Sequence, residues 1–169
     1  MSLTINTPKE LLSDSFPINN IYPRLQDSDS RSLIPFIYEA HYYLHLDTFI
    51  PWVNINFEKC VRERINEWKT LQLKIETLFK ERNKETKADI KLGIAYFLEC
   101  LFWTNEQPVR LDRGLVFKDL DVKPFNIEDR LSFIIRRMDG YHSYRQLNEL
   151  FNELEKQFSV KLLRMKLGK

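Results

Sequence analysis

A chain of 169 residues with a formal net charge of +2 has the length of one domain. Hydrophobic residues make up 43% and aromatics 13%, enough to fill a core without metal or disulfide staples, which argues against a globally disordered chain. Only four glycines occur and few segments alternate apolar and polar residues, so a turn-rich β sandwich or barrel is excluded, while the near-neutral charge demands no acidic partner.

Thr7-Pro8-Lys9-Glu10 predicts a short first helix ending near Ser13, with Thr7 as cap, Pro8 at the first helical position and Glu10 closing a capping box. Residues 14–30 carry Pro17, Pro23 and several Ser and Asp, and read as an irregular arm draped over the body through Phe16, Ile18, Ile21, Tyr22 and Leu25. Residues 1–30 therefore form an N-terminal piece. Its Lys9 and Arg24 stand against Glu10, Asp14, Asp27 and Asp29, a net of −2. Residues 31–169 read as a helical domain.

Within that domain Leu33 to Leu46 is the next helix, with Pro35 in its first turn. The clearest periodicity runs from Phe57 to about Arg82, where Phe57, Val61, Ile65, Trp68, Leu71, Ile75, Leu78 and Phe79 recur at three- and four-residue steps. Thr86 reopens a helix that is apolar nearly all round between Ile90 and Trp103, which predicts a central position. Gly93 inside it costs about 1 kcal/mol relative to alanine, so a neighbouring helix is expected to approach closely there. Residues 105–125 form a long connection, with a short helix expected near Gly114–Leu120. Asn126 caps a helix over 127–138, stopped by Gly140. Ser143 with Gln146 opens a last helix over 143–158. Whether 160–167 continues it or forms an extended tail is not decided by the pattern. Residues 159–169 carry Lys161, Arg164, Lys166 and Lys169 with no acid. The expected fold is all-α: one irregular bundle of five or six helices, with 90–103 clasped by 57–82, 127–138 and 143–158.

Three stretches resemble a known family. They are Leu101-Phe102-Trp103-Thr104-Asn105 leading to Pro108-Val109, Lys123-Pro124-Phe125-Asn126 leading to Glu128-Asp129-Arg130-Leu131, and Tyr141-His142-Ser143-Tyr144 leading to Gln146-Leu147 and Phe151. In this order they are similar to the YpoC-like family of small proteins from Bacillus and its relatives. The resemblance implies a helical intracellular protein and carries over no catalytic residue.

Several side chains are candidates for chemistry. His41 and His45 have the i, i+4 spacing that aims two imidazoles at one metal, but a zinc site needs further ligands and no HExxH glutamate lies between them. Tyr141-His142-Ser143-Tyr144 contains reactive groups, with Ser143 assigned to capping rather than nucleophilic attack. Trp103, Asn105 and Pro108 close the most apolar helix and, with Arg130 and His142, are the candidate interaction or pocket residues. Lys161, Arg164 and Lys166, joined by Arg136 and Arg137, are the candidate phosphate contacts. A basic amphipathic tail also suits an anionic membrane surface. Val61, Trp68, Leu71, Ile75 and Leu78 approximate a heptad, which an intramolecular bundle uses equally well.

The leading functional reading is a non-enzymatic interaction or adaptor module with a protein partner, because no convergent catalytic set is present and no cofactor is called for. The alternative is a nucleic-acid-associated accessory protein using the basic C-terminal end, and the third is a metal-binding protein or enzyme through His41 and His45. Cys60 and Cys100 lack CxxC partners and read as small buried hydrophobes. The N-terminus has neither a basic start nor an apolar core, and no window of about 18 residues is apolar throughout, so the expected location is cytoplasmic.

Overall fold

The computed structural model describes residues 3–18, 20–25 and 32–168. The expected boundary between residues 30 and 31 lies outside them, as does Lys169. Among the described residues the chain forms five α-helices: α1 (Ile37–Tyr43), α2 (Phe57–Lys80), α3 (Lys87–Thr104), α4 (Ile127–Arg136) and α5 (Tyr141–Leu167). The helical class agrees with the sequence reading, but the all-α description does not. Residues β1 (Thr4–Asn6) and β2 (Ile21–Pro23) pair antiparallel, with Ile5 opposite Tyr22. In both strands only the middle residue is buried, so the strand period puts Ile5 and Tyr22 on the core side and Ile21 in solvent. The irregular arm is thus partly a small sheet. The first predicted helix is a single 3₁₀ turn over Lys9–Leu11, flanked by Pro8 with no side-chain cap.

The helix ends explain most boundary differences. Phe36 has φ 66°, so a right-handed helix cannot run back to Leu33, and α1 starts only at Ile37. At its far end the Leu46 N–H bonds the His41 carbonyl and the His45 N–H bonds that of Tyr42, with His45 left-handed at φ 59°. That is a Schellman motif. The same pair of bonds closes α2 around Arg82 and α3 around Glu106, again with left-handed, non-glycine residues. None of the three ends carries the glycine by which such a stop is read from sequence. The expected caps also differ: Thr86, Asn126 and Ser143 make no capping bond, and α5 begins two residues before Ser143 with Gly140 as its cap. Residues 114–120 contain turns rather than a helix.

Each long helix buries the stripe its spacing predicts. On α2 these are Phe57, Val61, Ile65, Trp68, Leu71 and Ile75; on α5, Tyr144, Leu147, Phe151, Leu154, Phe158 and Leu162. Helix α3 is buried continuously from Gly93 to Thr104 and packs against α2 and α5, while α4 packs mainly on α5. Trp68 of α2 stacks on Phe151 of α5 at 4.5 Å between centroids, and Phe97 of α3 meets Phe151 edge-on at 5.3 Å. The Trp68 ring occupies the space a side chain at Gly93 would need: a Cβ there would lie 2.5 Å from Trp68 Cζ3 and 3.1 Å from Leu147 Cδ2. The predicted close approach is therefore made by side chains of α2 and α5. Helix α5 continues unbroken to Leu167, which settles the ambiguity over 160–167.

Two glycine exchanges should act in opposite directions. Gly93→Ala gains helix propensity but overpacks against Trp68, so it is expected to lower stability by about 1–2 kcal/mol and to shift tryptophan fluorescence. Arg82→Gly relieves a left-handed residue on an exposed turn and is expected to raise stability by roughly 0.5–1 kcal/mol. Urea denaturation of both variants checks the pair; stabilisation by Gly93→Ala would contradict the packing argument.

Candidate functional site

Between Lys91 and Thr104 the sole charged residue is Glu99, and it is fully buried. Its partner is Arg64 of α2, itself buried. Arg64 Nε donates to Glu99 Oε1 at 2.8 Å and Nη2 to Oε2 at 3.3 Å. Nη2 also donates to the Ser32 carbonyl, and the Phe36 N–H donates to Glu99 Oε2. The guanidinium lies over the rings of Tyr96 and Trp103. Burial works against the Arg64 charge, but the adjacent Glu99 carboxylate more than offsets it, so the guanidinium is held above its ordinary value.

Trp103 links this pair to a second buried carboxylate. Its indole N–H donates to Glu39 Oε2 at 2.8 Å, and the Val109 N–H donates to the same oxygen at 3.1 Å. Among the described residues Glu39 Oε1 has no hydrogen-bond partner. Burial and then the nearby Glu99 charge raise the Glu39 carboxyl to about 7, against the two donors at Oε2. A proton on Oε1 removes the charge without breaking either bond. The Val109 carbonyl accepts from the Tyr43 hydroxyl, so α1 holds the start of the 105–125 connection at both polar atoms of one residue. Glu39, Glu99 and Trp103 expose 1% or less, so these side chains are turned inward. This cluster is framework.

The groove at the C-terminal end of α3 is open to solvent. Asn105 caps that helix by bonding the Leu101 carbonyl, and it bonds both the N–H and the carbonyl of Val122, folding the connection back on itself. Lys161 of α5 donates to the Thr104 carbonyl and pairs with Glu106 at 3.4 Å, a cation at the negative end of the α3 dipole. Gln157 Nε2 donates to the Lys123 carbonyl. These ties enclose a groove of about 660 Å³ lined by Lys123, Lys156, Lys161 and Arg164, with Asp121 as the sole acid lining it. Among the described residues Lys156 and Arg164 are exposed and have no carboxylate partner. Val160, Leu163 and Leu167, exposed by 47%, 58% and 77%, lie along the same outer face of α5.

The sequence candidates are distributed unevenly about this groove. Asn105, Lys161 and Arg164 meet there. Lys166 is exposed nearby on α5, whereas Arg136 and Arg137 are exposed at the end of α4 and do not line it. Trp103 belongs to the buried framework. Pro108 lines a different pocket with Tyr42, Arg110 and Phe117. Arg130 bonds the Phe125 carbonyl and Glu153, while His142 is exposed in the first turn of α5, so Trp103, Arg130 and His142 share no cleft. Ser143 is buried within α5 with no partner for its hydroxyl. His41 is buried and fully engaged: Nε2 accepts from the Leu25 N–H and Nδ1 donates to the Ile37 carbonyl, each at 2.9 Å. His45 is exposed, and among the described residues no three His, Cys, Asp or Glu side chains are grouped to hold a metal ion. Sequence reading missed Lys123, Lys156 and Gln157, and it missed the Arg64–Glu99 pair. A continuous α5 would have shown Lys156 and Arg164 on one face; a lone acid in an apolar helix was the signal for the pair.

Comparison with known proteins follows these boundaries. The profile of the YpoC-like protein family matches residues 58–166. A protein of Bacillus subtilis (strain 168), described as "Uncharacterized protein YpoC", is 31% identical over 112 residues, which make up 64% of this chain and 67% of that protein. No solved structure matches. Among the described residues no helix is long and apolar enough to cross a membrane.

The framework generates two predictions. Arg64→Met leaves Glu99 buried without its cation and is expected to cost about 3–5 kcal/mol in denaturant unfolding. Glu39 binds its proton more tightly folded than unfolded. Its contribution is therefore complete below its ordinary value of 4.5 and is lost as pH rises through about 7. That loss is about 3 kcal/mol for a shift of this size. Glu39→Gln should flatten this part of the stability–pH curve; parallel curves for the variant and the parent would refute the assignment to Glu39.

Proposed function

The chain belongs to the YpoC-like family, and on that footing we propose that it is a non-enzymatic, cytoplasmic interaction module whose contact surface is the groove between the 105–107 turn and the C-terminal half of α5. The observation that carries this reading is the convergence, in one open groove, of cations with no carboxylate partner and an exposed apolar face on the same helix. An exposed apolar patch rimmed by polar and charged residues marks an interaction site. Phe125 adds a second exposed anchor: its side chain is 85% exposed, while its N–H bonds Glu153 and its carbonyl accepts from Arg130. An aromatic held at its backbone yet presented to solvent has little backbone entropy left to lose on binding. The buried carboxyl groups of Glu39 and Glu99 are engaged in internal bonds and do not line this groove. Cys60 and Cys100 are both buried thiols, which suits a reducing compartment.

A second reading, association with nucleic acid, is favoured by one observation: four of the groove's lining residues are Lys or Arg. A photo-crosslinking residue placed at Leu163 in the native cells, with exposed Leu73 of α2 as control, separates the two. The module reading expects discrete protein adducts at position 163 that resist nuclease and are absent at position 73. Adducts removed by nuclease favour the second reading, and equal or no labelling at the two positions defeats both.

A further inference from the structure

Resting on the module reading, we propose that the occupant of this groove is an acidic peptide segment of a partner protein, with carboxylates spaced among aliphatic side chains. Charge gives the first half of the argument. Lys156 and Arg164 lie eight residues apart on one face of α5 and are not neutralised. Lys123 donates to the carbonyls of Phe117 and Lys118 and among the described residues has no carboxylate partner. Lys161 is already committed to Thr104 and Glu106. Three available cations face one lining acid, which selects an anionic occupant.

The remaining lining decides what kind of anion. Val160 and Met165 contribute apolar surface within the groove, and Leu163 and Leu167 extend it along α5. No aromatic side chain lines the groove, so it offers no platform on which unstacked bases could lie. An acidic, partly aliphatic peptide satisfies the cations and the apolar strip together.

The test is fluorescence anisotropy with the full-length chain and short labelled probes: a Glu/Leu peptide, its Glu/Ser and Lys/Leu counterparts, single- and double-stranded DNA, and vesicles containing phosphatidylserine. The Glu/Leu peptide is expected to bind most tightly, with salt-sensitive affinity, followed by Glu/Ser. Lys156→Glu combined with Arg164→Glu should weaken it at least about tenfold, with the circular dichroism spectrum and thermal midpoint retained. Arg136→Glu combined with Arg137→Glu makes the same charge change away from the groove and should leave binding within about twofold. No binding of the Glu/Leu peptide, equal weakening by the two double variants, or tighter binding of DNA or vesicles overturns the acidic-peptide assignment. Should position 163 still yield nuclease-resistant protein adducts in cells, only the class of partner falls and the module reading stands.

Discussion

The bidentate contact between Arg64 and Glu99 is the constraint around which the rest of the molecule is arranged. It joins α2 to the most buried helix, and its spare hydrogen-bonding capacity reaches the Ser32 carbonyl and the Phe36 N–H. Phe36 is left-handed, a conformation an L-residue holds only when its surroundings over-determine it, and the Glu99 bond to its N–H is part of that determination. A buried ion pair adds little net stability over a well-packed apolar substitute, because both charges give up their hydration. What this one contributes is register: slide α2 along α3 by one turn and both charges are stranded.

From that pair the order passes outward through α3. Trp103 lies under the Arg64 guanidinium and bonds Glu39; Glu39 takes the Val109 N–H; Asn105 pins Val122; Lys161 closes on Thr104. The last turn of α3 thereby fixes the 105–125 connection and the C-terminal half of α5 at once. The groove is a by-product of that anchoring. Its walls are two segments that meet only because each is tied to the same helix end, which is why residues so distant in sequence line a common surface.

Much of this was legible in the chain and some was not, for identifiable reasons. Apolar spacing located α2, α3, α4 and the body of α5, because burial of a stripe is a local property of sequence. The asparagine at position 105 and the lysine at position 161 were both singled out, yet nothing in their spacing says that they meet; that requires the fold. The ends of α1, α2 and α3 were placed within a few residues, but their left-handed geometry at His45, Arg82 and Glu106 was not legible because no glycine marks it. The small sheet escaped because three-residue strands bury one side chain each, too short a run for alternation to register. Glu99 was hidden by its company, since an acid amid so many apolar residues is easily read past when it is the most informative residue there.

Lys161 has two tasks that draw on one ammonium group. It satisfies the Thr104 carbonyl at the end of α3, and it forms part of the groove wall. An anion reaching Lys161 would have to compete with that carbonyl and with Glu106 for its three protons. Such competition would couple occupancy to fraying of the last turn of α3, and the coupling would be reciprocal: what loosens the Thr104–Gln107 turn would alter affinity, and what binds would alter amide exchange in that turn. The C-terminal cap of the most deeply buried helix is thus the place where the interior of the protein is in contact with its surface chemistry.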